Sequence, residues 1–316
     1  MALVVELPLS LLATGAALPL VITMMLRRDV IDVPNHRSSH VGRVPRGGGL
    51  ACLLGVLVGL LAGQLLGDVP PWELAGIAAA LALVGLADDL RTVPAAPRLG
   101  AQLLVGTLAG LLVGGGLFWM IAGAVVLAVT VNVVNFMDGI NGITGLTIGL
   151  WGVVALVVAS ANDSSRLIPL AAAAAGAAIG FLPANLPRAR LFLGDVGSYL
   201  FGALVGVGIL VGWADGLPLA VLVAPLSVYI ADTSFTLIRR ASRRVDLLSA
   251  HREHVYQRLV STAGLSHTVV ATFAVVLAAL ITLSWVPGSA ALGLTVTTVL
   301  LSIYLGAVPL TKAMRR

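Results

Sequence analysis

Long apolar stretches alternate with short polar ones along the whole chain. A helix needs about 20 apolar residues to cross the hydrocarbon layer of a bilayer, and eleven stretches approach or reach that length. They lie at approximately 3–26, 48–67, 72–87, 99–115, 117–136, 143–160, 167–183, 199–213, 218–238, 267–286 and 290–310. The pattern predicts an all-α, polytopic membrane protein with about eleven transmembrane helices. Only glycines separate 99–115 from 117–136, so a count of ten stays open.

The composition agrees with a membrane protein. Hydrophobic residues make up 59% of the chain, charged residues only 10%, and the mean hydropathy is +1.04. A soluble protein of this length could not cover its surface at that charge density. Cys52 is the single cysteine and lies in the second predicted span, which excludes an intrachain disulfide. Residues 1–316 are therefore expected to form a single transmembrane domain.

The basic residues predict the orientation, because Lys and Arg collect in cytoplasmic loops. If the N-terminus lies outside, the inner loops and the C-terminal tail hold 18 of the 19 basic residues, and only Arg166 lies outside. We therefore expect a cytoplasmic C-terminus. The predicted cytoplasmic loops are 27–47, 88–98, 137–142, 184–198 and 239–266. The net charge of +5 follows from this bias and does not indicate nucleic-acid binding.

Four motifs that carry acidic residues fall on the predicted inner side. They are Asp88-Asp89, the run from Asn132 to Gly142, the run from Phe192 to Ser198, and the run from His251 to His254. Because a hydrocarbon layer rejects charge, carboxylates gathered at one of its faces need a partner. The pattern favours a divalent cation with a phosphorylated substrate.

Asp88 and Asp89 close the third predicted span at its C-terminal end. The negative end of the helix dipole disfavours each carboxylate there by about 0.3–1 kcal/mol. A bound cation would reverse this penalty, whereas ordinary polar residues at a helix end are the alternative. Adjacent helical residues project about 100° apart, so one carboxylate can hold metal while the other faces a substrate.

Asn132, Asn135, Asp138 and Asn141 recur every three residues at the end of the fifth span. On a helix this spacing is expected to keep the side chains on one flank. Amides at that depth must face protein or a cavity. The alternative is that they join helices, at around 1 kcal/mol each.

Two further inner segments carry candidate ligand-binding groups. Gly47, Gly48 and Gly49 open the second span, where free amides attract anions, and Arg43 and Arg46 add charge. A glycine hinge among ordinary loop arginines is the alternative reading.

Asp195 precedes the eighth predicted span and could serve only as a helix cap. Asn185 and Phe192 belong to the same loop. An aromatic ring there can stack on a base or anchor the chain at the membrane interface.

His251 and His254 lie in a basic amphipathic stretch with Arg252 and Arg258. The stretch suits a diphosphate, but a helix lying on anionic lipid has the same pattern. Zinc is disfavoured because no third soft ligand is near in sequence. Asp232 lies inside the ninth predicted span and requires a buried partner.

Taken together, the order and spacing of the motifs are specific. The set PNHRSSH…PRGGG, GLADD, NVVNFMDGINGITG, FLGDVGS and HREH, from about residue 32 to 260, closely resembles the polyprenyl-phosphate N-acetylhexosamine-1-phosphate transferases, which form bacterial glycosyltransferase family 4. The RSSH and PRGGG runs look most like the branch that starts O-antigen-type polysaccharides. The resemblance implies transfer of a sugar 1-phosphate from a UDP-N-acetylhexosamine to undecaprenyl phosphate, with UMP released. It also implies a catalytic domain in the bacterial inner membrane whose active site faces the cytoplasm.

The resemblance assigns roles to the catalytic and metal-binding positions. Asp195 would be the principal ligand of Mg²⁺, with Mn²⁺ as an alternative ion. Asn135 and Asp138 would order the metal and the diphosphate. Asp88 would deprotonate the lipid phosphate, and Asp89 would support the metal site or a substrate.

The remaining positions would bind the donor. Phe192 would stack on uracil, with Asn141 and Asn185 contacting the base. His251 and His254 would contact the sugar phosphate, and Arg252, Arg46 and Gly48 complete the predicted substrate-binding set.

Two departures from the family pattern matter. Asn141 stands where many relatives carry Asp, so this position cannot supply an acid here. The histidine motif has two His where other branches have three, which argues against a muramyl-pentapeptide donor.

Other classes of protein stay open. A secondary transporter of a phosphorylated or lipid-linked solute would show an inverted repeat and midplane charges, whereas these acids cluster at one face. A purely structural membrane protein would not need Asp88-Asp89. The hexosamine, a covalent intermediate and the oligomeric state, including a homodimer, are not determined by the sequence.

Overall fold

The computed structural model describes residues 4–32, 42–245 and 252–314, which form a bundle of helices. The helices are α1 Glu6–Arg27, α2 Gly49–Leu65, α3 Trp72–Leu90, α4 Ala95–Val113, α5 Gly116–Met137, α6 Ile143–Ala161, α7 Leu167–Asn185, α8 Gly194–Ala214, α9 Leu219–Val223, α10 Ser227–Ser242, α11 Val255–Ser261, α12 His267–Trp285 and α13 Ala290–Met314. Two short strands, β1 Ile31–Asp32 and β2 Val44–Pro45, pair antiparallel with Ile31 opposite Pro45.

The predicted all-α membrane architecture is confirmed. Within the described ranges, nine helical segments are long and apolar enough to cross a bilayer. Two more helices are apolar but fall outside that set: α2 has only 17 residues, and α3 carries Glu73 as well as Asp88 and Asp89. The chain breaks between α4 and α5 at the glycines, so this region forms two helices. The count of eleven spans and the orientation stay predictions.

The ninth predicted span, 218–238, is not one continuous helix. It consists of α9, a single 3₁₀ turn at Ala224–Leu226, and α10. Pro225 lies in the turn, and proline lacks the N–H that a continuing α-helix needs while its ring crowds the preceding turn. The two pieces together still have the length and hydropathy of one span.

Helix α8 forms the axis of the bundle, and its residues 196–212 are all buried. It packs against α3, α5, α2 and α7. Small residues allow this close approach: Gly49 of α2 lies against the backbone of Gly197, and Gly202 lies against Val131 of α5. Between helices in lipid, close packing replaces the hydrophobic effect as the source of stability. The first turn of α8 is thereby fixed where α3 and α5 end.

The helices at this end of the bundle extend further than the sequence predicts. Helix α3 continues to Leu90, and α8 begins at Gly194 rather than near residue 199. Asp88, Asp89 and Asp195 therefore lie in helical turns, and only residues 91–94 connect α3 to α4. We call this the site end of the bundle and the other the opposite end.

Candidate active site

Asp195 lies at the meeting point of three helices. It is in the first turn of α8, and its Oδ1 accepts a hydrogen bond of 2.8 Å from Asn135 Nδ2 on α5. The same Asn135 amide donates to Ser198 Oγ at 3.0 Å. The carboxyl group of Asp88, on α3, is in hydrogen-bonding contact with that of Asp195. Two predicted catalytic carboxyl groups and one predicted ligand amide are thus brought together.

A glycine makes this convergence sterically possible. A side-chain carbon placed on Gly85 of α3 would collide with the carbonyl oxygen of Asp195. The last turn of α3 can therefore approach the first turn of α8 at backbone distance only because position 85 has no side chain. The GLADD motif combines this contact with the two carboxylates that follow it.

Asp88 has two donors on the stretch that follows α3. Val93 N donates to its Oδ1 at 2.7 Å, and Arg98 Nη1 lies 2.5 Å from its Oδ2. The Arg98 guanidinium is 28% exposed and also reaches the hydroxyl of Tyr199 at 3.4 Å. Arginine therefore supplies part of the positive charge that two acids at a helix C-terminus require.

Asp89 points elsewhere, as the 100° between neighbours predicts. Its Oδ2 accepts from Val196 N at 3.0 Å, at the positive end of the α8 dipole. Arg46 donates to the Asp89 carbonyl at 2.7 Å, and its Nε lies 3.7 Å from the Asp89 carboxylate. Only 4% of Asp89 is exposed. These contacts connect Asp89 to the first turn of α8 and to Arg46.

The glycine motif at the start of α2 is engaged with the Phe192 loop. Gly48 N donates to Phe192 O at 2.9 Å, and Gly49 N donates to Leu193 O at 2.8 Å. Phe192 N in turn donates to Pro45 O at 2.9 Å. Two of the amides predicted to bind an anion, those of Gly48 and Gly49, thus have carbonyl acceptors and hold the segment that leads into Asp195. The Phe192 ring is half-buried beside them.

The amides of α5 do not share one flank, contrary to the expectation from their spacing. Asn132 Nδ2 donates to Gln102 Oε1 on α4 at 2.6 Å, whereas Asn135 faces α8. Each step of three residues falls about 60° short of a full helical turn, which separates the two side chains. Asn132 joins helices, as the alternative interpretation proposed, and Asn135 belongs to the site.

Asp138 follows the end of α5 and lies against Thr144 at the start of α6. Burial raises the pKa of Asp138 to about 7, the Thr144 hydroxyl opposes this shift, and the charge of Asp89 adds to it. Asp138 is thus linked to Thr144 by a hydrogen bond and to Asp89 by charge repulsion. The predicted metal-binding residue that contacts Asp195 is Asn135.

The loop 138–142 is held by side chains from distant parts of the chain. Gly142 N donates to Asn185 Oδ1 at 2.5 Å, and Asn185 Nδ2 donates to Leu191 O at 3.0 Å. Asn141 N donates to His267 Nδ1 at 3.2 Å, and its side-chain amide donates to Pro187 O at 3.3 Å. Asn185 is buried, and both ends of its amide are used in joining two loops. Its predicted contact with a base would require these bonds to open.

The histidine motif is anchored by charge. His254 Nδ1 lies 3.0 Å from Asp232 Oδ1, which confirms that Asp232 has a buried partner. Glu253 pairs with Arg239 and Arg240, each at 2.9 Å. Burial alone would raise the pKa of Glu253, but these guanidiniums hold it below its usual range. Arg252 is half-buried beside this cluster, and His251 lies outside the described residues.

The donor set at Asp195 fits a magnesium ion. Two carboxyl groups in contact repel each other unless a proton or a cation lies between them. Mg²⁺ typically takes one or two carboxylates and completes its octahedron with water and substrate phosphate. Asp88, Asp195 and the Asn135 amide match that demand. No cluster of three or more His, Cys, Asp or Glu side chains suited to a metal is found in 4–32, 42–245 and 252–314, so a closed protein cage is not formed there.

Several residues of the site escaped the sequence analysis. Arg98 is one, although its position in the same short inner loop as two uncompensated acids was a usable signal. Tyr199 and His267 are others, and each reaches the site through a fold that brings distant segments together. Nothing in their local sequence distinguishes them from ordinary helix residues.

Comparison with known proteins places this geometry in a family. The sequence model of glycosyl transferase family 4 matches residues 72–212, which contain Asp88, Asn135 and Asp195. A probable undecaprenyl-phosphate N-acetylglucosaminyl 1-phosphate transferase of Bacillus subtilis (strain 168) is 28% identical over 84% of this chain and 79% of its own length.

Two other relatives show similar coverage. A decaprenyl-phosphate N-acetylglucosaminephosphotransferase of Mycolicibacterium smegmatis is 30% identical over 77% of this chain and 71% of its own length. A phospho-N-acetylmuramoyl-pentapeptide-transferase of Moorella thermoacetica is 31% identical over 70% of this chain and 79% of its own length. Because relatives of 30% identity or more are matched over more than two thirds of their length, the chain belongs to glycosyl transferase family 4.

Proposed function

We propose that the protein transfers an N-acetylhexosamine 1-phosphate from a UDP-sugar to undecaprenyl phosphate. A lipid-phosphate oxygen forms a bond to the sugar-bearing phosphorus, the bond from that phosphorus to UMP breaks, and UMP leaves. The products are UMP and an undecaprenyl-diphosphate sugar. The observation that carries the proposal is the contact among Asp88, Asn135 and Asp195, contributed by three helices at one end of a membrane bundle. The names of the relatives in the family support the reaction class.

The residues of the site divide the work between the two substrates. Asp88 ends α3 near the bilayer surface, where it can accept the proton of a lipid phosphate. Arg98 keeps the Asp88 carboxylate oriented and places a second cation within reach of the same phosphate. Asp89 and Arg46 hold the first turn of α8, which fixes Asp195.

A divalent cation would be held by Asp195 and Asp88, with Asn135 as a neutral ligand or an orienting donor. Bound there, Mg²⁺ or Mn²⁺ would neutralise charge on the diphosphate, which is the main requirement of phosphoryl transfer. Phe192, on the segment that leads into Asp195, would stack on the uracil ring of the donor. Asn135, whose amide also donates to Ser198 Oγ, orients the Asp195 carboxylate for cation binding.

We further propose that the donor carries N-acetylglucosamine or a related hexosamine. The Bacillus and Mycolicibacterium relatives are named for N-acetylglucosamine, and the two-histidine motif of this chain differs from the muramyl-pentapeptide pattern. Initiation of an O-antigen-type polysaccharide rests on the RSSH and PRGGG runs of the sequence.

The test is release of UMP by the purified protein. It is supplied with undecaprenyl phosphate, Mg²⁺ and a panel of UDP-sugars, and the lipid product is identified by mass. UMP release that requires both the lipid phosphate and a UDP-N-acetylhexosamine is expected. Hydrolysis of UDP-sugar without the lipid, or no turnover with any UDP-sugar, would refute the proposal.

Orientation in the inner membrane forms part of the proposal, since a nucleotide sugar is a cytosolic substrate. Ser242 and Ser165 are exposed at the two ends of the bundle, and the native Cys52 is buried. In intact cells, an impermeant thiol reagent should label Ser165→Cys and not Ser242→Cys. Labelling of Ser242→Cys from outside would reverse the orientation.

A further inference from the structure

The carboxylate of Asp232, to which the proposed chemistry assigns no task, joins several elements at the site end. It lies on α10 and is fully buried. Its five contacts come from its own helix, from α13 and from the start of α11. Oδ1 contacts Val255 N at 2.9 Å, His254 Nδ1 at 3.0 Å and Thr236 Oγ1 at 3.2 Å. Oδ2 contacts Tyr304 OH at 2.8 Å and Tyr256 N at 3.1 Å.

This arrangement fixes the start of α11. The first amides of a helix have no partner within the helix, and here Val255 N and Tyr256 N donate to the Asp232 carboxylate. An acceptor from another helix therefore does the work of a cap. Both the direction of α11 and the position of its first side chains are set by α10.

Tyr256 connects the start of α11 to the active site. Its hydroxyl donates to Phe136 O at 3.0 Å. Phe136 is in the last turn of α5, where the carbonyl oxygens have no amide partner within the helix. The ring also lies against the loop that follows: a side-chain carbon on Gly139 would collide with the Tyr256 hydroxyl. Tyr256 thus bears on the residues immediately before and after Asp138.

We propose that Asp232 is a positioning residue that acts through Tyr256 to hold the Asp138 loop, residues 138–142, in its working geometry. What the loop does in turnover rests on the proposed function. The physical link runs from Asp232 to the α11 amides and from Tyr256 to Phe136 and Gly139, and it does not depend on the proposed function. Because the loop starts three residues after Asn135, a shift at its anchor displaces Asp138 relative to the diphosphate.

The kinetic test uses Asp232→Asn, Tyr256→Phe and the double variant. Both single changes preserve size, and each should lower kcat about tenfold or more, the cost typical of outer-shell supports, with KM for the UDP-sugar changed less than about threefold. If Asp232 acts through Tyr256, the double variant should be no slower than the slower single variant. Losses that multiply would mean that the two residues act separately and would overturn the proposal.

Tyr304→Phe is the matched control. It removes one donor to Asp232 that comes from α13 and leaves the two α11 amides that donate to the same carboxylate unchanged. It should lower the thermal stability while leaving kcat unchanged. A loss of kcat as large as that of Asp232→Asn would show that general loosening of the carboxylate, not the α11 link, controls turnover.

Hydrogen exchange provides a readout that does not depend on catalysis. Amides in 137–142 should exchange faster in Asp232→Asn and Tyr256→Phe than in the wild type, and those in 162–166 at the opposite end should not change. Unchanged exchange in 137–142 for folded Asp232→Asn would refute the coupling. A wild-type protein without transferase activity would refute the proposed function, and the exchange result would still decide the coupling.

Discussion

The two ends of the bundle both carry acids with polar partners, but those partners differ. At the opposite end, Asp215 accepts from Ser164 Oγ at 2.5 Å and pairs with Arg166 at 2.6 Å. At the site end, Asp195 receives one amide from Asn135 and faces a second carboxyl group, that of Asp88. The first arrangement is complete within the protein, whereas the second requires a proton or a cation between the two carboxyl groups. The kind of neighbour, more than the acidity, distinguishes a site from a structural pair.

The largest loss of turnover is expected when Asp195, the site-end acid of this comparison, is replaced. Asp195→Asn should lower turnover by about 10⁴-fold or more, since a cation contributes several kcal/mol of charge stabilisation and each 1.4 kcal/mol is tenfold in rate. Asp215→Asn, the matched change at the opposite end, should keep near-normal UMP release and lose only stability. Excess EDTA should silence the wild type as completely as the Asp195 change. Full activity of Asp195→Asn, or of the wild type in EDTA, would remove Asp195 from the metal site.

A smaller loss, about 10³-fold, is expected for Asp88→Asn, in the middle of the range for a general base. Asparagine removes the proton acceptor but leaves the nucleotide pocket in place. UDP-sugar binding should therefore survive in Asp88→Asn and weaken in Asp195→Ala. The rate loss should be partly relieved at higher pH, where more lipid phosphate is already deprotonated. Equal loss of donor binding in both variants, with no recovery at high pH, would contradict this division of roles.

Arg98 sharpens the comparison further, because its guanidinium is the cation that contacts Asp88 directly. Arg98→Ala should raise the KM for undecaprenyl phosphate by about 10–100-fold, as expected when one member of a part-buried charge pair is removed. Arg98→Lys should retain part of the affinity. Arg91 is an exposed arginine of the same connection, and Arg91→Ala should have little effect. An equal response of both arginines would indicate general charge attraction rather than a specific contact.

The sequence predicted the helices well, because their apolar length is a local property. All eleven stretches contain helix, and the broken one at Pro225 carries its own signal. Helix ends were predicted less well. Helix α8 starts earlier than expected because Asp89 accepts a hydrogen bond from an amide of its first turn. The carbonyls of residues 192 and 193 accept in the same way from the amides at the start of α2.

The site was predicted at the level of motifs but not of contacts. The three-residue spacing of Asn132 and Asn135 suggested a shared face, yet the helical drift sends one to α4 and the other to α8. The ligand-binding roles predicted for Gly48, from its helix start, and for Asn185, by resemblance, fall on groups that are already hydrogen-bonded to other loops. Such competition among partners depends on the packed bundle, so no local pattern reveals it.

The smallest effect is expected at Glu6, which tests the comparison at its weakest point. Glu6 of α1 is buried at the opposite end, and its carboxyl group hydrogen-bonds to that of Asp68, so here too two acids meet. Unlike Asp195, Glu6 is distant from the motifs that share the site end. Glu6→Gln keeps the size and supplies an N–H donor to the Asp68 carboxyl group. Activity should change less than about twofold, and the free energy of unfolding by less than about 1 kcal/mol. Glu6→Ala provides the contrast, since truncation of a buried side chain leaves a cavity and should lower the melting temperature without slowing the catalytic step. Measured kcat and thermal unfolding of both variants decide the matter. A tenfold or larger fall in kcat for folded Glu6→Gln would show that carboxyl pairs at both ends serve turnover, and the contrast between a complete pair and an incomplete site would fail.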